Sequence, residues 1–491
     1  MLRKIRIALA TLSFLLLLWL FLDITGTAHH WAGWLAKIQF LPALLALNAG
    51  VVGGLIVLTL VFGRIYCSVV CPLGIVQDLF ARLRPRGKKV GRYSYSPEVR
   101  WLRYLFLALF VVALVAGVSS VVALLAPYSS FGRIVTHLLK PAYILGNNAL
   151  ADVAARHDSY AFYHVDPLLV SLPTIGVALV SLLLVAILAW VGGRTYCNTV
   201  CPVGTLLSFF SRFSFLKIRF DQEKCRNCSA CSRVCKASCI DYTTHSVDAS
   251  RCVVCGDCLE SCKFGALTYG SSSSRLSTPA EPSSTRRTFL LSSLSVLSAA
   301  ALAQTKAKTD GGLAEIEDKK IPTRQTPLTP PGSLSARHFA QHCTACQLCV
   351  SQCPNGVLRP SSGLVTLMQP TMSYESGYCR PECNRCSEVC PTGAIKPITC
   401  EEKSSTQIGH AVWIKKNCVV LTDDVDCGNC ARHCPVGAIQ MVPINPGDDF
   451  SPHVPAVNES RCIGCGACEH LCPARPFPAI YVEGHEVHKE I

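Results

Sequence analysis

The sequence predicts a multi-domain chain: an α-helical transmembrane bundle of four spans, followed by small α+β domains built around grouped cysteines. Three observations predict this. Four apolar stretches crowd the first 204 residues. A motif holding two cysteines recurs there, the copies 130 residues apart. Most of the 30 cysteines then fall into six groups of four at close, regular spacing.

The apolar stretches are about 5–22, 38–62, 104–125 and 167–191. A bilayer core of about 30 Å needs roughly 20 apolar residues, so each is long enough to span it. They help lift the hydrophobic content of the 491-residue chain to 50%. Arg3, Lys4 and Arg6 stand at the start of the first stretch. Arg82, Arg84, Arg86, Lys88, Lys89, Arg92, Arg100 and Arg103 lie between the second and third. Basic loops stay in the cytoplasm, so both ends of residues 1–204 are expected on that side. The net charge of +14 therefore reads as contact with a membrane surface and its lipid, and no nucleic-acid partner is expected.

The repeat is GRIYCSVVCPLG from Gly63 and GRTYCNTVCPVG from Gly193. Each copy follows an even-numbered span. A helix continuing through the motif would set Cys67 and Cys71 on one face, and likewise Cys197 and Cys201. Four thiols match the ligand count of an iron–sulfur or zinc site. A redox-active dithiol pair is the alternative, and buried packing cysteines are the plain one. His29, His30, His137, His157 and His164 fall in the opposite loops with Trp31. A histidine at a membrane edge can take a proton from a quinol, although solvated loop histidines and an interfacial tryptophan explain the same residues.

Residues 220–270 hold Cys225, Cys228, Cys231 and Cys235, then Cys252, Cys255, Cys258 and Cys262. Both runs are C-x2-C-x2-C-x3-C, the bacterial two-cluster ferredoxin spacing, in which the fourth cysteine of each run ligates the other cluster. One cluster is expected on Cys225, Cys228, Cys231 and Cys262, the other on Cys252, Cys255, Cys258 and Cys235. Gly256 gives the second loop room to approach. Lys236 and Lys263 stand where proline usually follows, and their charge is expected to raise the cluster potentials. Cys239 is left over as a non-ligand.

Residues 271–284 form a polar linker. Residues 285–304, TRRTFLLSSLSVLSAAALAQ, have a twin-arginine start, an apolar middle and the small-x-small end Ala301-Leu302-Ala303. This is the grammar of an export signal with a cleavage site after Ala303, and it resembles a Tat signal; a fifth membrane helix is the alternative. Residues 305–335 are expected to be a tether.

The last region, 336–491, holds four more groups. They are Cys343, Cys346, Cys349 and Cys353; Cys379, Cys383, Cys386 and Cys390; Cys418, Cys427, Cys430 and Cys434; and Cys462, Cys465, Cys468 and Cys472. Each ends in Cys-Pro, and apolar residues such as Val357, Ile395 and Ile439 follow to cover a cluster. The groups can exchange fourth cysteines as one with two and three with four, or as one with four and two with three. Cys400 is unassigned. Six groups of four imply six [4Fe-4S] clusters in ferredoxin-like α+β domains.

With these motifs placed, residues 1–270 resemble NapH-type membrane ferredoxins, and residues 285–491 resemble NapG-type, Tat-exported ferredoxins. The resemblance implies a fused quinol dehydrogenase component of periplasmic nitrate reduction in a bacterial cytoplasmic membrane. Residues 205–284 would lie on the cytoplasmic side and 305–491 on the periplasmic side. Quinol would be the donor and a periplasmic cytochrome c or reductase the acceptor. No C-x-x-C-H haem site or dinucleotide fingerprint is present. Two other functions remain open: a metal-handling or maturation factor for a periplasmic metalloenzyme, and a conduit fed by cytoplasmic ferredoxin. Whether the chain is an enzyme in its own right or an electron-transfer component stays open. A route between the two sides must cross the bilayer, yet both C-x3-C-P motifs are predicted on one side.

Overall fold

One long helix, Leu2–Leu22, links the two ends of the molecule. It contains neither glycine nor proline, and its leucine-rich run favours helix throughout. Asp23 stops it by accepting from the Thr25 and Ala28 backbone N–H groups at 2.9 and 2.8 Å. The computed structural model describes residues 2–84, 93–159, 161–165, 171–271, 309–310, 314–315, 317–447 and 451–491. The signal-like stretch 285–304 lies outside these residues.

Among the described residues, two helices are long and apolar enough to cross a membrane, Leu2–Leu22 and Leu172–Gly192. They match the first and fourth predicted spans. The second and third are corrected: neither is one helix. The stretch 38–62 divides into Phe40–Leu45 and Ala49–Phe62. Asn48 N–H reaches Ala43 O at 3.0 Å and Leu47 N–H reaches Leu44 O at 3.1 Å, with Leu47 at φ 54. That is a Schellman stop, and the Asn48 side chain caps the next helix by accepting from Val51 N–H. The stretch 104–125 divides into Arg100–Ala116 and Ser119–Leu125. Here Gly117 at φ 74 makes the same stop, with Val118 N–H on Ala113 O at 2.8 Å. A further apolar segment runs from Ser119 to Ala155 with a bend of 83° after Leu125, so it is a broken span or a re-entrant loop.

The cysteine-rich regions consist of short helices and two-stranded antiparallel sheets. In the first, Lys217–Phe220 pairs with Leu267–Gly270, Ile218 opposite Tyr269. In the last, Leu358–Pro360 pairs with Pro370–Met372, Ile439–Pro443 with His453–Val457, and Thr406–Trp413 with Ile480–Glu490. The expected tether does not hang free over its described part. Leu328 to Ser333 are buried, Thr326 N–H donates to Glu483, and Lys319 donates to the Glu469 carbonyl at 2.9 Å. Proline and threonine here make an extended strap that packs along the domain.

The two cysteine-rich regions dock at opposite ends of Leu2–Leu22. At its start, Arg3 pairs with Asp257 at 2.8 Å. At its end, the Gln352 amide donates to Leu20 O at 3.0 Å. A helix of 21 residues is about 30 Å long, so the regions are separated by roughly a bilayer core.

Candidate electron-transfer sites

The two repeat motifs meet in one core. Gly63 and Gly193 end their helices at φ 76 and 68. Each then turns through Arg64-Ile65-Tyr66-Cys67 or Arg194-Thr195-Tyr196-Cys197. Contrary to expectation, no helix runs through the cysteine pair: Cys71 and Cys201 are extended, and Pro72 and Pro202 start the next helices. Proline fits there because a first-turn N–H has no helical partner. All four cysteines are buried. Arg64 Nη2 crosses to Cys197 O at 3.1 Å, and Arg194 Nη1 crosses to Cys67 O at 2.6 Å. The reciprocal pair makes a local pseudo-twofold. Gly74 and Gly204 lie so close to the Cys67 and Cys197 carbonyls that a Cβ would sit 2.2 and 2.1 Å away. Donors point at the sulfurs: Gln77 Nε2 lies 3.2 Å from Cys197 Sγ, and Gly204 N–H lies 3.3 Å from Cys201 Sγ.

Arg64, Arg194 and Gln77 were not singled out from sequence, although both arginines stand inside the repeated motif. Asp78 was also missed. It is buried and pairs with Arg194 at 2.9 Å, Arg6 at 3.0 Å and Lys236 at 3.7 Å. Burial opposes its ionisation, but Arg194, Lys236 and Arg6 overcome this and hold the carboxyl well below the usual range. Lys236 also pairs with Asp257 at 2.9 Å. Its charge, expected to act on a cluster, is therefore balanced by two carboxylates.

In residues 220–270, Cys225, Cys228, Cys231 and Cys262 line one small cavity. Cys258 faces Cys255, Cys252 and Cys235. Gly256, at φ 77, opens the helix that carries Cys258. Cys239, set aside from sequence, lies 3.5 Å from Cys235 Sγ and beside Cys252. This region seats directly on the four-thiol core, through Arg64 to Ser250 O at 2.9 Å and Arg194 N–H to Lys236 O at 2.8 Å.

In the last region the fourth cysteines exchange between neighbours. Cys353 lines a cavity with Cys379, Cys383 and Cys386, while Cys390 faces Cys343, Cys346 and Cys349. Cys472 lines a cavity with Cys418, Cys427 and Cys430. Cys434 lines one with Cys462, Cys465 and Cys468. Groups one and two thus interlock, as do three and four. The stretched gap between Cys418 and Cys427 is taken up by the short helix Val419–Thr422. Cys400 is exposed.

The donor sets fit cubane clusters. Among the described residues, no three Cys, His, Asp or Glu side chains converge closely enough for a single ion. A tetrahedral zinc at about 2.3 Å from each sulfur would draw the thiols to within ~4 Å of one another. Four of the six foursomes instead surround small cavities. Backbone N–H groups meet several sulfurs, as Ala345 does Cys343 at 3.4 Å, Ala438 does Cys434 at 3.2 Å and Ala479 does Cys472 at 3.3 Å. Such bonds favour thiolate and tune cluster potential.

The methylamine utilization ferredoxin-type protein MauM of Methylobacillus flagellatus is 30% identical over 175 residues, 33% of this chain and 70% of that protein. The chain belongs to the ferredoxin-type 4Fe-4S proteins. Ferredoxin-type protein NapG of Escherichia coli K12 is 27% identical over 220 residues, 42% of this chain and 89% of NapG. A Methanocaldococcus jannaschii protein is 27% identical over 185 residues, 37% of this chain, and the chain spans about half of it, 54%. Family descriptions agree. A 4Fe-4S binding domain matches twice, over 44–91 and 174–221, again 130 residues apart. A 4Fe-4S dicluster domain matches 342–394 and 425–475, and another matches 248–357. This ferredoxin-type chain is an iron–sulfur electron-transfer protein with apolar helices.

Proposed function

We propose that the chain oxidises quinol at a bacterial cytoplasmic membrane and delivers electrons to a periplasmic cytochrome c or reductase, as a fusion of a NapH-type and a NapG-type component. One observation carries this reading: two cysteine-rich regions sit at opposite ends of a bilayer-length helix, with four buried thiols between them. Residues 205–284 take the cytoplasmic side and 305–491 the periplasmic side, in line with the basic loop between Arg82 and Arg103.

The six foursomes would each hold a [4Fe-4S] cluster, and such clusters supply one-electron transfer with little rearrangement. Cys67, Cys71, Cys197 and Cys201 would hold a further redox centre or act as dithiols. The protein's part is placement and insulation. Arg64 and Arg194 fix the backbone of the thiol pairs, and Tyr196 OH donates to Leu125 O at 2.9 Å. The bent segment after Leu125 brings Tyr128 against Cys346 and Cys390. Gly132 lies so close that a Cβ there would stand 2.0 Å from Cys346 O. The bent segment thus touches both the four-thiol core and the first cysteine group of the last region, which supports a route through it.

A soluble cytoplasmic ferredoxin as donor is a second reading. Cys228 is exposed and Cys225 half-buried, so that edge of the first region is open to a partner. The test is optical. The anaerobically purified, oxidised protein is mixed with menaquinol and the broad absorbance near ~400 nm is followed. Bleaching supports quinol oxidation. Clusters that bleach with dithionite and not with menaquinol refute it in favour of the ferredoxin-fed conduit or a maturation role.

A further inference from the structure

Beside the seam between the membrane helices and the last cysteine-rich region lies a cavity of about 980 Å³. One wall comes from the end of the first helix and the bent segment, with Ile24, His137, Lys140 and Ile144. The other comes from the loop carrying Ser351 and Cys353. Cys353 is the exchanged fourth cysteine of the second group, so the cavity touches a ligand foursome directly.

Its chemistry is one-sided. Lys140, Arg359, Arg380 and Arg385 line it, Arg359 being paired with Glu375 outside the lining, and no carboxylate stands among its described lining residues. Lys140 is buried and donates to the Asp23 and Ser351 carbonyls. His137 is only 3% exposed, and neither ring nitrogen has a hydrogen-bond partner. Gln347 Oε1, close enough to act on the ring, is likewise without a hydrogen-bond partner. Burying an unpaired imidazole is costly unless a ligand completes it. The volume suits a ligand of drug-like size. The wall pairs apolar Ile24, Ile144 and Val165 with cationic groups, which suits a lipid-soluble ring carrying acidic hydroxyls.

We infer that this cavity is the quinol-binding site, with His137 as acceptor of one hydroxyl proton and Lys140 as the cation that favours the quinolate. The inference rests on the quinol-oxidising reading above and adds where the quinol sits. The balance is complete. Quinol loses two protons and two electrons to become quinone. One proton passes to His137 and one to water, and the electrons leave singly to two oxidised iron–sulfur clusters held by this chain.

The test uses the full chain in detergent, with two readouts. In the first, an azido-naphthoquinone is photolysed on the protein and the labelled peptides are mapped. Label within 137–165 or 350–360, competed by menadione, is the expected result. Label elsewhere overturns the site, and so does competition by phosphatidylglycerol vesicles with none by menadione, which would mark a lipid-headgroup site. In the second, menadiol-driven bleaching is compared between the wild type and the variants His137→Phe and Ile144→Trp, with dithionite bleaching showing that the clusters are intact. The variants should slow menadiol bleaching ~100-fold and lose the label. Wild-type rates in both variants would overturn the site while leaving quinol oxidation standing. Label in the cavity with no bleaching of the wild type would keep the binding site and overturn the oxidation reading.

Discussion

Replacing Asp78 by asparagine removes one negative charge and almost no volume. Asp78 is the shared partner of Arg6, Arg194 and Lys236, which are 4%, 0% and 4% exposed. Without it, Arg6 has no other ion pair among the described residues, Arg194 keeps only backbone and sulfur acceptors, and Lys236 keeps Asp257. Removing one partner of a buried pair typically costs about 3–5 kcal/mol, because the other charge is stranded. The three cations sit on the first helix, the second repeat motif and the first cysteine-rich region, so the loss falls on the docking of that region. At 1.4 kcal/mol per decade, ~3 kcal/mol opens the interface ~100-fold more often. Hydrogen exchange of the intact, cluster-loaded chain reads this directly. Amides around Lys236, Ser250 and Arg194, whose groups bond across the interface, should exchange ~100-fold faster in Asp78→Asn, while those of 462–472 stay unchanged. The depressed carboxyl adds a sign. A carboxyl held below its ordinary value stabilises above that value and gives up its contribution as pH falls through the native one. The wild-type interface should therefore loosen only below about pH 4, whereas Asp78→Asn should be loose at every pH. Equal exchange in the two proteins at pH 7 would refute the network as the clasp.

Other outcomes follow from the same geometry. Wild-type protein should contain more than about 24 iron atoms if the four-thiol core holds an iron centre besides six cubanes, and Cys67→Ser or Cys201→Ser should return the count to about 24; a wild-type count of about 24 would exclude iron from the core. Cys235→Ala should lose about four iron atoms and Cys239→Ala none, by iron and sulfide assay, and the reverse pattern would exchange their roles. His488, pushed down to about 4 by burial and then by His485, binds its proton less readily folded than unfolded. Stability should therefore fall as pH drops from about 6.5 to 4, by ~1–3 kcal/mol after allowing for its partial exposure. His488→Gln should flatten the thermal-midpoint profile in that window, and an identical slope would rule the residue out.

Local rules were legible in the sequence and tertiary ones were not. The cysteine spacing placed Cys262 with Cys225, Cys228 and Cys231, and the structure puts them around one cavity, because three ligands come from one loop and the fourth from its partner. The choice between neighbour pairings in the last region depended on how the domains fold back, so spacing left it open. Four apolar stretches predicted four helices, but apolarity marks only where a chain can be buried. Gly117 was a visible stop signal inside the third stretch. Leu47, a bulky residue with left-handed backbone, gave none, and Asn48 beside it was the only hint. Asp78 looked like one charge at the start of a basic loop. Its importance comes from three cations contributed by residues 72 positions before it and 116 and 158 after it, a separation no window along the chain can see. Arg64 and Arg194 were written into the repeated motif, but their crossing over the motif axis needed both copies in place.

The account turns on whether electrons enter this chain from quinol. The most direct measurement is freeze-quench electron paramagnetic resonance of the oxidised, anaerobic protein after one equivalent of menaquinol. The account predicts signals of reduced [4Fe-4S] clusters within the mixing series, equal in sum to two electrons per quinol. A silent sample that develops the same signals on adding dithionite would contradict it.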